Sequence, residues 1–233
     1  MYLKRLIVSN FKNIGFADLT FSPNINCIYG DNGEGKTNLL DAVNYLSMTK
    51  SFLQTSDRFT YTYGMDEATL CGFYQRDDYE DKIAVSVKQG GEKTVKKNDK
   101  AYQKISEHIG HIPIVVISPS DTSLIHDSGE ERRRFMNMVL SQTDPPYLRA
   151  IQSYNRVLQQ RNKILKGDTA VPKILLEAFS AQLNRDASYI YSCRGKLAQE
   201  LDRLTGEFYK QLSDGKESVS LRYTSDLHKG SMA

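Results

Sequence analysis

Tryptophan is absent, cysteine occurs three times and proline six times in 233 residues, and no apolar run approaches the roughly 18 residues of a membrane span. Cys27, Cys71 and Cys193 lie far apart without CxxC or Cys/His spacing, so neither a disulfide framework nor a zinc site is expected. His108, His111, His126 and His228 show no ligand spacing either, which leaves them as ordinary surface or core residues. Charge imbalance is small: 31 Lys and Arg against 28 Asp and Glu give +3, which permits a nucleic-acid partner through local patches without demanding one. The chain therefore reads as soluble, globular and cytoplasmic, with no membrane role.

What is present is strong local patterning. Three short strand-like runs, 2–8, 17–21 and 24–29, are separated by Asn, Gly and Pro turn signals. After a glycine-rich stretch, Leu39, Leu40, Val43 and Leu46 fall at helical spacing and predict a helix over 37–48. Residues 68–102 alternate apolar and polar, with Gly90, Gly91, Asn98 and Asp99 as turns, and predict an antiparallel meander. A buried strand over 112–117 and a helix over 129–142 follow, with Pro145 and Pro146 punctuating its end. Beyond them two long helical runs, broken at Gly167, Asp168 and Pro172, each carry one apolar stripe and should pack antiparallel. Gly195 offers a break in the second, and 219–223 reads as a strand returning to a sheet.

The chemistry is concentrated in Gly30, Asp31, Asn32, Gly33, Glu34, Gly35, Lys36 and Thr37, a gapless GxxxxGK[ST]. Glycines allow successive N–H groups to turn toward phosphate oxygens, and the helix that follows adds its positive end. Lys36 is expected to reach the β and γ phosphates of a nucleotide, and the Thr37 hydroxyl to hold Mg²⁺. A strand before the loop and an amphipathic helix after it supply the context that such a loop requires.

Hydrolysis also needs an acid that organises the metal and water. Asp121, a few residues beyond the 112–117 run, is the available candidate, although Pro119 makes it a poor strand end. On that reading the chain is a self-contained P-loop NTPase or kinase with Asp121 as its metal acid. Lys93, Lys96, Lys97, Lys100 and Lys104, with Arg132, Arg133 and Arg134, form basic clusters that a solvated surface explains better than DNA does.

Several further segments resemble one family, the RecF recombination-mediator ATPases, relatives of the SMC and ABC-type ATPases. They are Asn10–Asn13, the loop extended through Asn38, Lys50–Phe52, Arg133–Phe135 and Gln160–Asn162. The resemblance implies ATP as cofactor with Mg²⁺ and a homodimer that sandwiches ATP. It also implies binding to double-stranded, gapped or junction DNA, and action with RecO and RecR in RecA loading. Lys12 and Asn13 match a family motif near the nucleotide and are expected to contact phosphates or the base. Lys12 and Leu53 stand where arginines are common in the family. The family's signature segment and paired acids come later than position 233, so no catalytic residue is expected within the chain.

The expected fold class is α/β: a P-loop ABC/SMC-like ATPase lobe with mixed and antiparallel strands plus an inserted helical lobe. Residues 1–143 are expected to form the ATP-binding lobe and 144–215 the helical lobe, with a returning strand in 216–233.

Overall fold

Strong alternation within the first 101 residues produces one antiparallel sheet. The computed structural model describes residues 1–54, 56–167 and 172–229. Strands β1 (Tyr2–Phe11), β2 (Ile14–Thr20), β3 (Glu67–Arg76), β4 (Tyr79–Lys88), β5 (Lys93–Lys97) and β6 (Lys100–Ala101) assemble in the order β2-β1-β3-β4-β5-β6. Every pairing is antiparallel. Asn98 and Asp99 turn β5 into β6 with positive φ, and Gly90 and Gly91 do the same between β4 and β5, as the turn residues predict.

Because side chains alternate across a strand, Leu6 and Val8, Leu70, Ile83, Val85 and Val87, and Val95 share one face and are almost wholly buried. Helix α1 (Lys36–Met48) covers that face with Ala42, Tyr45 and Leu46. Gly72 is what lets it lie close, since a Cβ there would meet Leu46 Cδ1 at 2.7 Å. The end of α1 is held from the side by His108, whose Nε2 lies 2.7 Å from the Leu46 carbonyl, and by Ser47, whose hydroxyl donates to the Ile112 carbonyl.

The second half is helical: α2 (Ser123–His126), α3 (Gly129–Thr143), α4 (Pro145–Leu165) and α5 (Lys173–Leu212). Asp144 closes α3 and caps α4, accepting from Tyr147 N at 3.1 Å, so Pro145 and Pro146 open a helix as well as ending one. Gln182 reaches Ser153, while Tyr189 and Arg194 reach back to Asp144 and Tyr147, which sets α5 antiparallel to α4. Helix α5 runs unbroken through Gly195 for 40 residues, so the expected break does not occur.

The chain divides into two compact units, Met1–Ser118 and Pro119–Ala233. The division falls earlier than the 143/144 boundary drawn from sequence, because α3 packs against α4 and α5. Three expected strands, at 24–29, 112–117 and 219–223, are not formed. Ile25, Tyr29, Val115 and Ile117 are 80% or more exposed. Apolar character favours burial, but a strand also needs a backbone ladder, and none of the six strands pairs with these runs among the described residues. Asp168, one of the expected helix breakers, lies outside the described residues.

Candidate functional site

The glycine-rich stretch curls at the surface and feeds directly into α1. Gly30, Gly33 and Gly35 take φ of 149°, 91° and 97°, a backbone that side chains rarely adopt. A Cβ at Gly30 or Gly33 would meet nothing within 4 Å, whereas at Gly35 it would strike Asn13 Oδ1 at 2.8 Å. Asp31, Asn32, Glu34 and Thr37 are exposed. Lys36 arches back over the loop, its ammonium donating to the carbonyls of Gly30 at 2.8 Å and Asp31 at 2.6 Å.

Helix α1 has Gly35 at its N-cap, with no side-chain cap and no acid in its first turn. The orphan N–H groups and positive dipole of such an end suit an anion supplied from outside. Open space at Gly30 and Gly33, an uncapped helix start, a lysine over the loop and a hydroxyl at Thr37 together fit a triphosphate with its metal.

Asn13 belongs to this assembly and Lys12 does not. The Asn13 amide donates to the Gly33 carbonyl at 3.0 Å and accepts from Asn38 Nδ2 at 2.7 Å, bracing the loop from the β1–β2 turn. Lys12 points away into the protein. Its side chain is 6% exposed, and its ammonium sits 2.6 Å from Asp41 Oδ2, so the expected contact with phosphates or base is not the one it makes here.

Sequence reasoning missed Asp41. Its carboxylate, completely buried on α1, also accepts from Ser51 Oγ at 2.7 Å and from Phe52 N at 2.8 Å. The available signal was a charged residue among the apolar positions Leu39, Ala42 and Tyr45 of an amphipathic helix.

The other candidates scatter. Lys93 is taken by Asp57 at 2.7 Å and Lys97 by Asp81 at 3.1 Å, so the lysine cluster divides between ion pairs and open surface. Arg132 donates to the Leu124 and Asp127 carbonyls, and Arg134 pairs with Glu131. His108 is a core residue: burial pushes its pKa below the ordinary histidine value. Asp121 lies in an exposed turn at the start of the second unit, and the strand expected to present it is not formed.

Comparison with known proteins bears on the whole chain. Residues 2–221 match the RecF/RecN/SMC N terminal domain. A DNA replication and repair protein RecF of Parabacteroides distasonis is 40% identical over 233 residues, covering 100% of this chain and 64% of the relative. Another, from Porphyromonas gingivalis, is 41% identical over 232 residues, covering 99% of this chain and 63% of the relative. The chain thus spans a little under two thirds of the curated relatives it matches. Among solved structures, the recombination mediator protein RecF with ATP in the RecFOR pathway superposes with a TM-score of 0.89 at 28% identity, over 97% of this chain and 63% of that one. With a matching domain along nearly its full length and the same mixed helix and sheet architecture, the chain belongs to the RecF/RecN/SMC N-terminal domain family.

Proposed function

We propose that residues 30–38 bind ATP with Mg²⁺, and that the chain serves as the nucleotide-binding front of a RecF-type DNA replication and repair protein. The observation that carries this reading is the curled, uncapped loop: three glycines at positive φ run into α1, with Lys36 arched over them. Lys36 would neutralise the β and γ phosphates, Thr37 would hold the metal, and Asn13 would keep the Gly33 limb of the loop in place. None of these residues is a general base, so the reading is binding rather than turnover by this segment alone. Within the longer protein the same reading extends to an ATP-dependent homodimer in the cytoplasm, acting on double-stranded, gapped or junction DNA with RecO and RecR. Support for that extension comes from the family and from the RecFOR pathway to which the solved RecF relative belongs.

Titration with a fluorescent ATP analogue and Mg²⁺ tests the core of the reading. Lys36→Ala should weaken affinity by roughly a hundredfold, the loss of one to two charge-assisted hydrogen bonds. Equal affinity in the variant would overturn the assignment. For the extension, DNA affinity of the longer protein should rise with ATP and fall steeply with salt, since phosphate contacts release counterions.

A further inference from the structure

We propose that Asp41 is a positioning residue for nucleotide binding, acting on the phosphate loop from behind through Lys12 and Asn13. The proposal rests on the functional reading above and assigns a role to a buried group that the loop motif does not include.

The geometry runs through connected segments. Asp41 lies on the same helix that starts at the loop, and its carboxylate is completely buried. One oxygen holds the Lys12 ammonium at 2.6 Å and the Ser51 hydroxyl at 2.7 Å; the other accepts from Phe52 N at 2.8 Å. Ser51 Oγ in turn accepts from the N–H groups of Leu53 and Gln54, each at 3.1 Å, so the loop after α1 is wound onto the same carboxylate. A buried acid so fully engaged is costly to leave half-paired, and the cost fixes the position of each partner.

Lys12 transmits that position to the loop. It occupies the β1–β2 turn in left-handed backbone, φ 53°, a conformation that a non-glycine residue holds only when its surroundings impose it. The next residue is Asn13, whose amide meets Gly33 and Asn38 and whose oxygen would collide with any Cβ at Gly35. Pulling Lys12 inward therefore sets where Asn13 stands, and Asn13 sets the Gly33–Gly35 limb of the cradle. The cation at position 12 works as a strut inside the protein.

Affinity for the fluorescent ATP analogue tests this in a double-mutant cycle, with thermal melts on each variant so that folded proteins are compared. Asp41→Asn and Asn13→Ala should each weaken binding by roughly tenfold, about one hydrogen bond's worth, and the double variant should lose no more than either alone. Additive losses would show that Asp41 acts only on general stability and would overturn the proposal, as would unchanged affinity in either single variant. Should Asp41→Asn not fold, Lys12→Met combined with Asp41→Asn removes both charges at similar volume, and the cycle with Asn13→Ala is run on that background with the same criteria. A wild-type chain that failed to bind the analogue would defeat the functional reading itself; a wild type that binds beside an equally tight Asp41→Asn defeats this one.

Discussion

In residues 1–118, Leu6, Val8, Phe11, Tyr45 and Leu46 are all at 0% exposure, whereas among the described residues of the second unit Tyr147 is the one hydrophobic side chain at that level. The sheet unit holds together by complete burial. In the helical unit the tie is polar: Arg194 on α5 donates to Tyr147 Oη of α4 at 3.1 Å and to Asn137 Oδ1 of α3 at 2.8 Å. Tyr147 donates to the same Asn137 oxygen at 2.5 Å. The difference fits the binding role proposed for the loop. A loop whose amides must stay in register benefits from a stiff, close-packed support, while a helical hairpin needs only a few directional contacts to fix its register.

That contrast can be broken most forcefully in the sheet. Leu6→Ala should lower unfolding free energy by roughly 2–5 kcal/mol, the usual span for emptying a leucine site in a tight core. Urea unfolding followed by circular dichroism checks this, and a loss near zero would mean that the sheet core is looser than its burial implies. Arg194→Ala should cost about 2 kcal/mol, because it leaves buried oxygens short of a donor. Its readout is protease sensitivity of the α3–α5 region, with the 1–118 unit unaffected.

The smallest effect should come from pH and should be confined to the sheet unit. His108 is 0% exposed, and burial, opposed by its bond to the Leu46 carbonyl and helped by the nearby charges of His111 and Lys97, leaves its pKa below the ordinary value of 6.5. The folded state thus favours the neutral ring, and the unfolded chain takes up the proton first. Stability is complete above about pH 6.5 and declines as pH falls below that value toward the depressed one. Replacing His108 with Gln should flatten this slope in urea titrations at successive pH values; an unchanged slope would assign it to other groups.

Elements whose pattern includes their own partner were legible in the sequence. The 68–102 meander alternates and carries its turns, so each strand finds the next one along the chain, and the stripes of α4 and α5 are complementary across a short connection. The curl of the loop was legible because glycine tolerates the positive φ that Gly30, Gly33 and Gly35 adopt. The runs at 24–29, 112–117 and 219–223 were misread because apolar residues show that burial is favourable without naming the strand that would provide it. Lys12 was expected near the nucleotide from its match to a family motif, and nothing local in sequence reveals that Asp41, a full helix turn inside α1, pairs with it. Gly195 was read as a break, yet neighbours on both sides of it keep helical spacing, and one glycine costs a helix only about 1 kcal/mol.

An unbroken α5 has a mechanical consequence. At 40 residues it is about 60 Å long, and its buried positions, Leu183 to Ile190, cluster in one stretch rather than along the whole rod. A tilt of about five degrees at that grip would sweep the distal end through a few ångströms, so small changes of angle near Asp144 and Tyr147 are magnified at Phe208 and Leu212.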